Sequence, residues 1–279
     1  MLTHRSPVPK LGLLFLTIGD VNNRDIWLEF LDQAGPEVSV FSHVKHGEDI
    51  APEFISESMI SQTIETRWGN ISLVRAMLAL LSEAYSDPEI SHFTFLSESC
   101  IPIKSWHRLR QHLQVDPRSM LSIKDGSEML ELHADRHRST SGIAYEHWRT
   151  HPQWVLLERE AARCILEHDA TEQFESSFAP DEHYFGTVLA MRGFPDSQIN
   201  PAPPTWVDWS RGPQPAVHHG INDSLAVKLA GTPSFFARKF LKAAKLPRLA
   251  DLDARFPDAW GVSPNTSPET SAPLLPHHE

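Results

Sequence analysis

Cysteine is nearly absent. Cys100 and Cys164 are the only two in 279 residues, which excludes a disulfide framework and leaves open at most a single bridge between them. Basic charge is also short, with 25 Lys and Arg against 36 Asp and Glu and a formal net charge of −11. Such a chain is not built for nucleic acid, whose phosphates demand a basic surface. An anionic ligand must therefore meet a local cluster of Arg and Lys. Long apolar runs are missing too: residues 11–18 make a strand-length stretch, well short of the roughly 20 residues that cross a bilayer. Lys10 precedes that stretch, but Asp20, Asn22 and Asn23 follow it without the small-residue cleavage site of a signal peptide. The expectation is a soluble, cytoplasmic protein that begins directly with its first strand and carries no membrane anchor. A Gly-rich phosphate loop and a Gly-x-Ser-x-Gly elbow are both lacking, which removes support for Walker-type phosphate binding and serine hydrolysis.

What is present is enough apolar sequence, 41% of the residues, for one large α/β domain. Short apolar runs alternate with helical periodicity, the pattern of a sheet flanked by helices. The sequence predicts a strand at 11–17, a helix at 24–34 with Ile26, Trp27, Phe30 and Leu31 at helical spacing, and a strand at 38–44. Further strands are expected at 60–65, 92–97, 119–123 and 153–157, and helices at 72–86, 105–114, 159–168 and 181–191. Arg67-Trp68-Gly69-Asn70 reads as a turn, and Cys100, in Ser-Glu-Ser-Cys-Ile-Pro, as a buried thiol. Residues 124–150, rich in His, Arg and Ser without a clear period, read as a long loop over the site. Residues 195–215 look loop-like. From about 246 periodicity fades, and 263–279 holds Pro, Ser, Thr and His with little to bury, the composition of a disordered tail.

Chemistry concentrates in two runs. Pro-Asp-Glu-His-Tyr-Phe at 180–185 sets a carboxylate where a helix begins, and Phe-Phe-Ala-Arg-Lys-Phe at 235–240 sets two cations between aromatic anchors. The first suits proton transfer and the second suits an anionic leaving group. Each has a plainer reading: Asp181 and Glu182 as an ordinary helix start, Arg238 and Lys239 as a solvated pair between buried phenylalanines. Sixteen histidines raise the question of a metal, but His43 with His46, His133 with His137 and His218 with His219 lack the companion ligands of a zinc site, so no metal ligands are assigned. The one Asp-x-Asp, Asp251-Leu252-Asp253, lies after the last motif.

Taken in order, Leu14-Phe15-Leu16-Thr17, Arg67-Trp68-Gly69 with Ser72-Leu73-Val74, Leu96-Ser97-Glu98-Ser99-Cys100-Ile101-Pro102, His147-Trp148 with Gln153-Trp154-Val155, Asp181-Glu182-His183-Tyr184-Phe185, Trp206-Val207-Asp208-Trp209-Ser210-Arg211-Gly212 and Phe236-Ala237-Arg238-Lys239-Phe240 form a string that resembles the core-2/I-branching glycosyltransferase family, glycosyltransferase family 14, in its plant-type and microbial branch. The string spans about residues 10 to 240. The resemblance implies a GT-A-like fold, a Rossmann-like mixed sheet flanked by helices in a single catalytic domain over 1–245. Within it, a nucleotide-binding half covers about 10–123 and an acceptor and catalytic half about 124–245, with 246–279 as a Pro-rich C-terminal segment. It also implies an inverting enzyme that takes a UDP-sugar as co-substrate, needs no metal or other cofactor, and transfers N-acetylglucosamine, xylose or glucuronic acid to a saccharide or glycoconjugate.

By the same resemblance Glu182 matches the catalytic glutamate and Lys239 the diphosphate-binding lysine. Arg211 and Arg238 are candidates for the partner arginine. His43 and Val44 end the strand where the family contacts the nucleotide, with Arg67 and Trp68 as further candidates. Gln153, Trp154, Asp181 and Glu98 are assigned to the sugar or acceptor, an indole face stacking well on a pyranose; core packing and, for Asp181, helix capping are the plain alternatives. Animal members are Golgi type II membrane proteins with a stem and disulfides, so Golgi or membrane association is expected only if that behaviour carries over. Where the plant branch often has His-Pro, this chain has Gln214-Pro215, and that histidine's role does not transfer. A catalytically silent carbohydrate-binding protein of the same fold is the competing reading, and a metal-dependent hydrolase built on the histidines a third.

Overall fold

The structure, a computed structural model, describes residues 8–255 apart from 48–49, 52–53, 126–130 and 212–213. The tail expected at 263–279 lies outside them. The chain opens with β1 (Leu11–Thr17), α1 (Arg24–Ala34) and β2 (Val38–Val44), then α2 (Ser72–Tyr85), β3 (His92–Leu96), β4 (Ile101–Pro102), α3 (Trp106–Val115) and β5 (Ser119–Met120). The second half carries α4 (Glu131–Arg138), β6 (Leu156–Glu158), α5 (Arg159–Leu166), α6 (Tyr184–Met191), β7 (Ile199–Asn200), β8 (Thr205–Val207), β9 (His218–Gly220), α7 (Asp223–Ala230), β10 (Phe236–Arg238), β11 (Phe240–Lys245) and α8 (Leu249–Asp253).

Among the described residues one mixed sheet has the order β2-β1-β3-β6-β5-β7. β1 runs parallel to β2, Leu11 opposite Val38 through Thr17 opposite Val44, and parallel to β3, Leu11 opposite His92 through Phe15 opposite Leu96. β6 is antiparallel to β3. Thr17, Val44 and Leu96 therefore end their strands on one edge, the edge where ligands collect in open α/β sheets.

Helices cover both faces because β1 is apolar on both, as the alternation of side chains along a strand requires. Leu11, Leu13 and Phe15 join one core with Trp27 and Phe30 of α1, Trp106 and Leu109 of α3, and Leu249 and Leu252 of α8. Leu14 joins the other, with Val74, Met77 and Leu80 of α2, Ile165 of α5 and Val188 of α6. The mixed α/β sheet flanked by helices is the architecture the sequence pattern predicts. The Asp251-Leu252-Asp253 run falls in α8, where Asp253 accepts from the Ser105 amide at 2.8 Å and pairs with Arg108 at 3.1 Å, joining α8 to α3, while Asp251 is exposed. Both cysteines are free, Cys100 in the first core and Cys164 beside the second, so the possible bridge does not form.

Several expected elements differ. Residues 60–65 do not form a strand: they pass the free edge of β2 with one bridge, Ser42 to Met59, and the Ile60 amide donating to Ser42 at 2.9 Å. The segment 124–150 is more than a loop. An antiparallel bridge between Lys124 and Thr150 closes it, and it contains α4, a helix without an apolar stripe that periodicity cannot reveal. The strand expected at 153–157 pairs with β3 only from Val155, whose carbonyl accepts from the Phe95 amide at 3.1 Å, onward, and that at 119–123 is a strand only over β5. The supposed loop 195–215 holds β7 and β8.

Candidate functional site

The strand-end edge is capped by the segment from β10 to β11. The Asn22 amide donates to Glu98 O at 2.8 Å and its side chain to Phe240 O at 2.9 Å. Asn23 donates to Leu241 O and accepts from the Ala244 amide, both at 3.0 Å. The Phe240 amide donates to Ser99 O at 2.9 Å. These bonds, added to pairing of β10 with β4 and β8, stitch Arg238 and Lys239 over the ends of β1 and β3.

Arg238 lies half-buried with its guanidinium carbon 4.2 Å from the centroid of the Trp154 indole, a cation–π contact. Trp154 arrives on the chain leading into β6, which is antiparallel to β3 and so begins at β3's C-terminal end. Burial lowers the Arg238 pKa, against the pull of Cys100 and Glu98. Its Nε is buried without a hydrogen-bond partner, as is the Thr17 hydroxyl at the end of β1. Buried polar atoms of this kind are rare unless something else satisfies them. Lys239 is half-buried, and its carbonyl accepts from the His218 amide at 2.8 Å. Arg211 is exposed nearby: it counts among the charges that, after burial and against Asp208, lower the pKa of His218. Cys100 is a buried thiol, as expected, and burial pushes its pKa up.

The carboxylate pair sits on a different device. Ala179 takes a left-handed conformation, φ 50°, and Pro180–Glu182 make one 3-10 turn. The helix expected from 181 breaks at His183, φ −136°, and resumes as α6. Asp181 does not cap it: no side-chain cap bond forms at either start, and Asp181 Oδ1 is buried without a partner. Burial, then the charge of Glu182, raises the Asp181 pKa to about 7. Glu182 reaches outward and pairs with Arg136 of α4, Oε2 to Nη1 at 2.6 Å; its side chain is 40% exposed against 10% for Arg136. The arginine is thus the fixed partner and the carboxylate the accessible one. Arg136 also contacts His183 Nε2 at 3.2 Å and lies over the Phe178 ring at 5.3 Å.

The two poles are linked through the backbone. The His151 amide donates to Glu182 O at 2.8 Å, and Trp154 follows three residues later, at most about 10 Å along an extended chain. Arg67 and Trp68 come to the carboxylate side: the Ala179 amide donates to Gly69 O at 2.9 Å, and Trp68 packs edge-on against Phe178 at 5.3 Å. Arg67 is exposed and pairs with Glu65 at 3.6 Å. His43 is buried, and its Nε2 accepts from the Ile64 amide at 2.8 Å; Val44 follows it at the end of β2. The Gln153 amide approaches Met77 Sδ at 3.8 Å. Sequence reasoning missed Arg136, which lies in an unperiodic segment 46 residues from its partner, and gave no role to His183 although it named the motif around it. Among the described residues no group of three or more His, Cys, Asp or Glu is placed to hold a metal ion.

The α/β domain thus carries a cation pole over the ends of β1 and β3 and a carboxylate pole on the turn before α6. Residues 2–229 match the family described as Core-2/I-Branching enzyme, and the chain belongs to that family. Glycosyltransferase BC10 of Oryza sativa subsp. japonica is 23% identical over 228 residues, 67% of this chain and 56% of that protein; the chain thus spans little more than half that relative's length. Among solved structures, galactosyltransferase LgtC with donor and acceptor sugar analogs gives a TM-score of 0.35 at 11% identity, covering 89% of this chain and 98% of that one. A197 from STIV gives 0.28 at 10% identity, covering 55% of this chain and 67% of that one. At these scores neither likeness bears on the fold, which rests on the sheet itself. No helix of the described residues is long and apolar enough to cross a membrane.

Proposed function

We propose that the domain is an inverting, metal-independent glycosyltransferase that moves a sugar from a UDP-sugar to a saccharide hydroxyl and forms a β-linkage. Membership of the Core-2/I-Branching enzyme family and similarity to a protein named a glycosyltransferase support the class. The observation that carries the mechanism is the accessible Glu182 carboxylate, fixed by Arg136 and joined through His151 to the Trp154–Arg238 contact. Glu182 takes the proton from the acceptor hydroxyl as that oxygen bonds to the anomeric carbon. The bond from that carbon to the diphosphate breaks, and its electron pair leaves on UDP. The transition state is oxocarbenium-like. Lys239 with Arg238 or Arg211 neutralises the charge gathering on the diphosphate, work that a divalent ion does in metal-dependent transferases. Trp154, buried beneath the Arg238 guanidinium, holds that cation in place, and the half-buried Gln153 beside it is the residue offered to the sugar. N-acetylglucosamine is the first choice of donor sugar, with xylose and glucuronic acid next.

The test is UDP release from a panel of UDP-sugars, with and without saccharide acceptors and in excess EDTA, for the wild type and Glu182→Gln. Release that persists in EDTA and falls by about 10²–10⁴-fold in the variant is expected, the range for loss of a general base. Activity abolished by EDTA refutes metal independence. Saccharide binding without turnover that Glu182→Gln leaves unchanged supports the silent carbohydrate-binding reading instead.

A further inference from the structure

His183 is fully buried and stands beside the carboxylate pole, yet the reaction above gives it no task. Among the described residues, three contacts hold its ring. Nδ1 lies 3.0 Å from Arg149 O, Nε2 lies 3.2 Å from Arg136 Nη1, and the ring stacks on Trp148 at 4.3 Å and 17°. Trp148 is itself fully buried, stacked on Phe174 at 5.8 Å and met edge-on by His137 at 5.3 Å. The ring therefore has little freedom to turn.

The partners decide the proton's place. A carbonyl oxygen only accepts, so Nδ1 must donate to Arg149 O; a guanidinium only donates, so Nε2 must accept from Arg136. One tautomer satisfies both: neutral imidazole protonated on Nδ1. The same Nη1 that donates to His183 also donates to Glu182 at 2.6 Å. Its direction is thus set by two acceptors, one fixed in the core and one reaching toward solvent.

We propose that His183, as its neutral Nδ1–H tautomer, is a positioning residue: anchored by the Arg149 carbonyl and the Trp148 ring, it aims Arg136 so that Arg136 holds Glu182 in place to receive the acceptor's proton. The proposal rests on the reading of Glu182 as the base, but the histidine's tautomer and its bond to Arg136 can be tested without it.

The first arm uses long-range ¹H–¹⁵N NMR of the unliganded wild-type protein at pH 7.5, with the His183 signals assigned by their loss in His183→Gln. A neutral ring protonated at Nδ1 is expected; a ring protonated at Nε2, or at both nitrogens, overturns the proposal whether or not the protein transfers sugar. The second arm compares two variants by UDP release from whichever UDP-sugar the wild type uses, after thermal melts confirm that both fold. Gln places an amide oxygen near the Nε2 position and can still accept from Arg136; Asn keeps the donor near the Nδ1 position and loses that acceptor. His183→Gln should retain kcat within about threefold, and His183→Asn should lower it by about tenfold or more with KM little changed, the signature of a misplaced catalytic group. Equal loss in both variants, or loss confined to KM, overturns the positioning role. If the wild type releases no UDP from any donor, the transferase reading fails, and the NMR arm still upholds or overturns the tautomer.

Discussion

Replacing Asp181 by Asn should leave the protein no more stable at pH 4 and markedly more stable at pH 8. The folded carboxyl titrates at about 7 against an ordinary 3.8, chiefly because burial disfavours the ion. The sign follows from which state binds the proton. Between pH 4 and 7 the folded protein keeps it and the unfolded chain has lost it, so stability falls with rising pH across that window and levels off above it. Each unit of difference is about 1.36 kcal/mol, so ionising the buried group costs about 4 kcal/mol once the pH exceeds 7. Asn resembles the protonated acid in shape, retains Oδ1 and cannot ionise. At about 2–4 °C per kcal/mol for a domain of this size, the variant should melt on the order of 10 °C above the wild type at pH 8. Melts followed by circular dichroism at pH 4, 5, 6, 7 and 8 measure the difference directly. A difference that is flat with pH, or that shrinks as pH rises, refutes the burial argument. Adding Glu182→Gln to both proteins should narrow the gap, because the Glu182 charge is the second cause of the shift.

Two further perturbations probe one pole each. Arg238→Gln removes the cation held over Trp154 at 4.2 Å; calorimetric titration with UDP should show Kd raised by about 10–100-fold, the loss of one charge-assisted bond, and an unchanged Kd would remove Arg238 from the diphosphate site. Gly69 has φ +71°, and a Cβ there would meet Phe178 Cε2 at 2.7 Å. Gly69→Ala should cost about 1–2 kcal/mol from the left-handed backbone and should also slow UDP release, because the ring it displaces lies under Arg136; a melt unchanged from the wild type would contradict the conformational argument.

How much of this was legible beforehand depends on how local its cause is. The bounds of β1, α1 and β2 are readable to the residue, since continuous burial in 11–17 and helical spacing in 24–34 are properties of neighbours in sequence. Residues 60–65 have a strand's length, but the chain there makes one bridge to β2, just before the segment, and buries Ile60 in the second core; strand length says nothing about whether a pairing partner is there. Helix α4 escaped because its sequence carries no apolar stripe; what it contributes to the site is Arg136, with His137 packed edge-on against Trp148. The helix start expected at Asp181 failed for a related reason: a proline and two acids do open helices, but here the core claims His183 and breaks the run.

The sequence by itself determined the class: a strand and helix alternation that demands a covered sheet, and an ordered set of motifs that names the family. It also supplied Glu98, Trp154, Glu182, Arg238 and Lys239 one at a time. Only the tertiary structure decided that Arg238 lies on Trp154, that Asn22 and Asn23 clamp the last strands over the first, and that Arg136 meets Glu182. Each of these pairs residues far apart in the chain. Such contacts leave no local period to read, because they are selected by the fit of whole layers rather than by the propensities of adjacent residues.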